Sequence, residues 1–335
     1  MSAVSVNGLD RASVPVNSQS FSQRKFGYKT ALKQVLLKNS GSESIFDNTL
    51  IKQAVAKPEP YISQFSFVGS NDNLMLEVAF VHQKIIELLK HAGVPIWGNQ
   101  RPQTIFWIVQ QNQNESTILS DDPSNEFIHA LKQTADSSGI PIAFPLMDFD
   151  EITSISAADI NGLFLDKIPQ ASSRYQAEYF VLLSVSEKFD GIDFELNVYP
   201  QQQDDVRRPV LTKSGQVESY QKLSIFLVNA LSNLYSQTFS ITGNDELSKI
   251  NIAFDDIVNL KQAMSVEKYI NNLSIVKSAF IAGLSGSRLR LELTLYGSQG
   301  DLQRILALDP KVSSQQNSDF LQVGSKSSNY QWNGG

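Results

Sequence analysis

The chain has 335 residues, 41% of them hydrophobic and 19% charged, with a formal net charge of −6 at pH 7 and no cysteine. That length and apolar share exclude wholesale disorder and suit three small α/β modules. The acidic balance excludes a surface built to neutralise nucleic-acid phosphates, and the missing thiols exclude disulfides, thiolate metal sites and cysteine nucleophiles.

No run of about 18 apolar residues occurs, so no membrane span is expected. The start, Met1-Ser-Ala-Val-Ser-Val, lacks a basic segment followed by an apolar one, and residues 1–11 are expected to be disordered. The first domain is expected over 12–100. It opens with a strand at Ala12–Ser18 and a helix at Phe21–Lys38, whose Tyr28, Ala31, Leu32, Val35 and Leu36 share one face. A helix at Ile45–Ala56 follows. Tyr61–Val68 and Asn73–Phe80 then alternate as an antiparallel hairpin, with Tyr61, Phe65, Phe67, Leu74, Leu76, Val78 and Phe80 on the inner face, before a helix at Lys84–His91.

The middle domain is expected over 101–240. Its apolar strands Thr104–Gln110 and Ile140–Met147 bracket a helix at Asn125–Ser137, the pattern of a sheet covered on both faces. A helix near Ala157–Phe164, a segment at Ala171–Gln176, a hairpin of Tyr179–Ser186 and Ile192–Tyr199, and a helix at Val217–Tyr235 complete it.

Residues 241–310 repeat the first order: strand Lys249–Phe254, helix Asp256–Asn271, strand Leu273–Ala282, strand Arg288–Leu295 and helix Gln299–Leu306. Leu289, Leu291, Leu293 and Leu295 face inward and Arg288, Arg290, Glu292 and Thr294 outward. A period of about 210 residues is too long for a solenoid and predicts two related β-α-β-β-α units flanking a third, α/β (α+β) in class. Residues 311–335, rich in Ser, Gln, Asn and Gly, read as a flexible tail onto which Tyr330 and Trp332 could dock.

Gly93-Val-Pro-Ile-Trp-Gly-Asn-Gln-Arg-Pro102, Pro145-Leu-Met-Asp-Phe-Asp-Glu151 and Ala171-Ser-Ser-Arg-Tyr-Gln-Ala-Glu178 resemble, from about Ala12 to Asp309, an uncharacterised family of Gram-negative envelope proteins, a domain of unknown function. The middle segment resembles the amino-terminal domain of the TolB family, and the first resembles the start of the flagellar assembly protein FlgT. These resemblances imply a periplasmic protein whose leader is absent from this chain, an envelope protein as partner, and interaction in place of catalysis. An oligomer is compatible with them. The alternatives are a structural subunit of an envelope ring or flagellar-type machine and a carboxylate-dependent hydrolase or ligand-binding protein.

Trp97, Asn99, Arg101 and Trp107 are the foremost binding candidates, aromatics and a planar cation in a glycine- and proline-bounded loop, against the plainer reading of a structural stack. Arg288 and Arg290 are candidates on the outer face of the last sheet. Asp148, Asp150 and Glu151 leave a strand at its carboxyl end and are weak metal or acid/base candidates, since the same residues also cap helices. His82 and His91 sit on opposite faces of one helix and His129 stands alone, so no metal site is expected. Gly283-Leu-Ser-Gly-Ser287 misses the nucleophile elbow, and no phosphate-cradling glycine motif occurs, so no cofactor is expected.

Overall fold

The computed structural model describes residues 4–70, 73–112, 115–201, 208–240, 248–271, 273, 275–308, 311–315 and 328–333. The chain divides into two compact units, one of residues 1–6 with 101–235 and the other of residues 7–100 with 236–335. The fold is α+β.

Within the stretch expected to be disordered, Val4–Ser5 is a short strand, β1. The strand β2 (Arg11–Pro15) turns Ala12 and Val14 inward. Helix α1 (Phe21–Ser40) buries Tyr28, Ala31, Leu32, Val35 and Leu36, the stripe that the periodicity predicts. Its start is capped by Ser20, whose side chain accepts from Gln23 N, and its end by left-handed Gly41, whose N–H donates to Leu37 O. The helix expected over Ile45–Ala56 divides in two. A 3-10 turn, Glu43–Asp47, precedes α2 (Thr49–Ala56) because the Asn48 side chain accepts from Leu50 N and Ile51 N and starts a new helix there.

Strands β3 (Ile62–Val68) and β4 (Met75–Phe80) form the hairpin, and the sheet order is β2-β4-β3, antiparallel throughout. Leu76, Val78 and Phe80 are buried as expected, whereas Phe65, on the edge strand, stays partly exposed. α3 (His82–His91) covers the core with Ile85, Ile86, Leu88 and Leu89. At Gly27 the helix α1 approaches the sheet so closely that a Cβ would lie 2.5 Å from Leu76 Cδ2.

The stretch 100–239 holds β5 (Gln100–Arg101), β6 (Thr104–Asn112), β7 (Glu115–Ile118), α4 (Glu126–Ser138), β8 (Ile142–Ala143), α5 (Phe149–Ser154), α6 (Ala157–Asn161), α7 (Ile168–Ser173), β9 (Tyr179–Lys188), β10 (Gly191–Pro200), β11 (Leu211–Val217) and α8 (Tyr220–Phe239). Its sheet runs β11-β10-β9-β6-β7, with β6 and β9 parallel and β8 beside β6. One face packs Ile105, Trp107, Val109, Phe180 and Leu182 against Ile160 and Ile168 of α6 and α7. The other buries Phe106, Ile108, Val181 and Leu183. With both faces covered, β6 reads as a continuous apolar run.

Two expectations are corrected in this unit. The strand expected over Ile140–Met147 shrinks to Ile142–Ala143, because Pro141 and Pro145 have no N–H to give a ladder. The helix expected from Val217 begins at Tyr220, because Leu211–Val217 pairs antiparallel with β10 as a strand.

The last stretch contains β12 (Ser248–Asp255), α9 (Leu260–Asn271), β13 (Val276–Ser285), β14 (Arg288–Leu295), α10 (Gln299–Leu308), β15 (Val312–Gln315) and β16 (Ser328–Trp332). α9 starts four residues later than Asp256, which adopts a left-handed φ of 62°, and Asn259 caps it by accepting from Gln262 N. The sheet order is β13-β14-β12-β16-β15, with β16 parallel to β12 and Tyr330 buried against Phe254. The described part of the expected flexible tail is therefore strand, because pairing with β12 satisfies a polar segment that has no core of its own.

Tyr296, the residue after β14, joins the core cluster of the N-terminal sheet, and the Lys90 ammonium lies 5.0 Å from its ring centre.

Candidate functional site

Two of the segments that carry the sequence resemblance, Pro145–Glu151 and Ala171–Glu178, meet in the middle unit. Asp148 caps α5, its side chain accepting from Glu151 N. The Glu151 side chain turns inward and is buried: Oε2 accepts from Met147 N at 2.7 Å, and Oε1 accepts from Tyr175 Oη at 2.5 Å and from Arg174 Nη1 at 3.3 Å. Arg174 Nη1 also reaches Asp148 Oδ2 at 2.7 Å, and Leu146 N donates to Tyr175 Oη at 2.9 Å. A buried carboxylate is tolerable only when satisfied in this way.

The Arg174 hydrogen bond, ahead of the Glu151 N–H, holds the Asp148 carboxyl below its ordinary range. Burial, followed by the bond to Glu151, pushes the Tyr175 hydroxyl up to about 12. Met147 adopts a left-handed φ of 53°, which costs a non-glycine residue about 1–3 kcal/mol and here aims its N–H at Glu151.

The network fixes what lies outside it. Leu146, Phe149 and Ile152 are 58%, 80% and 62% exposed, and Phe149 and Ile152 stand three residues apart on α5 and so on neighbouring positions of its surface. The result is a short apolar platform on a helix pinned from beneath by Glu151. The Glu151 oxygens are engaged by protein donors, Asp148 is a helix cap, and Asp150 faces solvent. Among the described residues no three His, Asp or Glu side chains gather where a metal could sit.

The foremost sequence candidates lie elsewhere, and most are interior. Trp97 is buried, its backbone N–H donating to Asn39 O and its ring beside Gly41, and Asn99 is half-buried. Arg101 is fully buried, donating from Nη1 to the Ser138 and Gly139 carbonyls at 3.2 and 2.9 Å, at the end of α4 where the helix dipole favours a cation. Burial pushes its guanidinium down to about 9. Trp107 is buried in β6 and donates to Ser172 Oγ. The expectation that this loop offers Trp97, Arg101 and Trp107 to a partner is thus corrected: each side chain holds the interior of its own unit.

On the last sheet, Arg288 ties three strands together, lying 3.7 Å from Asp255 of β12 and donating to Asn329 of β16 at 2.5 Å. Its side chain is a cross-strand tether. Arg290 is exposed beside Gly283.

Sequence reasoning found Asp148 and Glu151 but not their partners. Arg174 and Tyr175 were in view only as part of a resemblance, and no periodicity joins positions 23 and 24 residues away. The outward signal, Leu146, Phe149 and Ile152 around a helix start, was available in the apolar residues between the acids.

Residues 3–98 match a family described as Domain of unknown function (DUF8605), and residues 248–333 match a family described as DUF2066. No curated protein matches the chain. Among solved structures, TolB from Acinetobacter baumannii shares 12% identity at a TM-score of 0.27, over 49% of this chain and 34% of that one. The LpoB C-terminal domain from Salmonella enterica shares 12% identity at a TM-score of 0.22, over 35% of this chain and 83% of that one. The chain thus spans about a third of the TolB chain, and its two ends are similar to two separate families of unknown function.

Proposed function

We propose that the protein is a non-enzymatic interaction protein of the Gram-negative periplasm, and that the α5 platform docks into an apolar groove of an envelope partner. The observation that carries this reading is the exposure of Leu146, Phe149 and Ile152 above a fully engaged Glu151. A large apolar side chain left in water lowers solubility, and a buried carboxylate must be satisfied by its surroundings, so a site that combines both is suited to binding. Pre-organisation lowers the entropy lost on association. The envelope location follows from the resemblance of the same two segments, Pro145–Glu151 and Ala171–Glu178, to an envelope family.

The test is affinity capture from envelope extract, comparing the native chain with the double variant Phe149→Ser, Ile152→Ser. Both residues are exposed, so thermal unfolding should move little. The expected outcome is a protein captured by the native chain and lost with the variant. Capture of the same set by both would overturn the reading.

A further inference from the structure

We propose that β11 is a dimerisation edge, along which a second copy of this chain pairs antiparallel about a two-fold axis through Ser214. The edge of a sheet carries unpaired backbone N–H and C=O groups, which native chains cover or blunt. Most sheet ends in this chain are treated in that way. β2 ends in Pro15, β3 carries a register shift between Ile62 and Gln64, and the backbone of β13 is bonded by Asn271 and Glu267. β7 and β15 are only four residues long. β11 has none of these devices. It is seven residues long, holds no proline and keeps one unbroken register with β10 from Leu211 to Val217, and among the described residues no side chain bonds its backbone.

The strand's own sequence selects a second copy as the occupant. Leu-Thr-Lys-Ser-Gly-Gln-Val reads in nearly the same way from either end about Ser214. Two-fold pairing at that centre sets Leu211 against Val217, Thr212 against Gln216 and Ser214 against itself, apolar with apolar and polar with polar. Lys213, the one charge in the strand, meets Gly215, where no side chain stands in the way of its stem. A centre at Lys213 would oppose two lysines, and a centre between two residues would set outward-pointing backbone groups against inward-pointing ones. About Ser214 every pair joins residues an even number of positions apart, so the outward-pointing set bonds its own counterpart.

The face beside the edge is apolar as well. Phe194 of β10 lies over Gly215, where a Cβ would be 3.4 Å from its ring, and packs on Phe226 of α8 with ring centres 5.0 Å apart. Phe226 remains 37% exposed. Antiparallel pairing about the axis keeps the same face of both sheets on one side, so the two copies' α8 helices share one side of the joined sheet. Apolar area there adds to backbone bonds that alone hold strands weakly. The two Lys213 side chains lie on a diagonal, about 7–8 Å apart, which keeps the association reversible. The edge includes none of the α5 residues, and the proposal does not depend on the docking assigned to them.

The chain has no cysteine, so a single introduced thiol reports contacts between copies. In Ser214→Cys the two thiols meet across the axis within the Cα reach of a disulfide, whereas in Thr212→Cys they stand four residues apart along the strands, about 14 Å. Both positions are exposed. Under mild oxidation of the full chain, Ser214→Cys should form a covalent dimer more than about tenfold faster than Thr212→Cys. Sedimentation velocity over a concentration series should show the native chain passing from monomer to dimer. Ser214→Glu and Ser214→Lys, each placing like charges on the axis, should stay monomeric, and an equal mixture of the two should dimerise again. Thermal melts verify that the variants fold. Equal cross-linking at the two positions, a native chain that stays monomeric, a dimer that survives Ser214→Glu, or a mixture that fails to associate overturns the proposal. So does an envelope protein captured by a monomeric native chain and lost with Ser214→Glu, which would assign the edge to a different chain. Failure here leaves the Phe149, Ile152 capture result standing on its own.

Discussion

The sheets β2-β4-β3 and β12-β14-β13 follow one plan and differ at their borders. Each is antiparallel with the last strand in the middle, and each has a register shift at the same place, between Ile62 and Gln64 in one and between Val276 and Ser278 in the other. Each closes with the same bond, Val81 N to Tyr61 O and Tyr296 N to Ile275 O, both 2.8 Å. At the free side of the first strand they part. β12 is extended by β16, whereas β2 ends in Pro15, which has no N–H, and offers Arg11 O to Lys38 Nζ. One edge is covered by added chain and the other is blunted by side chains. The far edge of β13 is covered in a third way: Asn271 bonds both the N–H and the carbonyl of Ala279, and Glu267 accepts from Ile281 N. Similar sheets therefore solve the same exposure problem with whatever residues lie nearby.

The largest effect should come from the covering strand. Tyr330→Ala removes a buried ring that packs on Phe254, at a cost of about 3–4 kcal/mol. Hydrogen exchange should rise in β12 and β16 while β2 and β4 stay protected. Equal loosening of both sheets would show that the border difference has no local energetic meaning.

Gly41→Ala tests the N-terminal side. Its φ is 73°, and a Cβ would lie 2.5 Å from Ser236 Cβ and 2.9 Å from Trp97 Cε3, so the change should cost on the order of 3 kcal/mol in urea unfolding.

The smallest effect is a pH dependence confined to the N-terminal half. Burial lowers the His82 pKa below 6.5, opposed by Asp10, so neutral histidine is the folded form. Its stability contribution is complete above pH 6.5 and is lost as pH falls through the lowered folded value. Position 82 corresponds to Gly297, which does not titrate. His82→Gln should flatten the fall in urea midpoint between pH 7.5 and 5, and an unchanged slope would place the titration elsewhere.

Most elements of both sheets were legible because one-sided burial writes itself as alternation: Leu289, Leu291, Leu293 and Leu295 are all buried, and the α1 stripe is buried as its spacing predicts. The α5 site was half legible, since Asp148 announces a cap but nothing near Glu151 in sequence names Arg174 or Tyr175. β16 was illegible as a strand. Ser-Asn-Tyr-Gln-Trp has a polar setting, and only the parallel register with Ile252–Asp255 makes it regular structure. Trp97 and Arg101 misled because composition alone cannot separate a hot spot from an interior anchor, both being aromatic and cationic groups in need of fixed geometry.

The placement of Tyr296 has a temporal consequence. The unit made of residues 7–100 and 236–335 draws a buried residue of its first core from more than 200 positions beyond α3, while residues 101–235 form a unit of their own. On a chain emerging from its amino end, the middle unit has all its parts about a hundred residues before the outer one does. The N-terminal sheet must wait, with the pocket for Tyr296 open, while a later-made neighbour finishes first. Such long-range closure is slow. Refolding of the full chain should accordingly be biphasic, and the slow phase should report the outer unit.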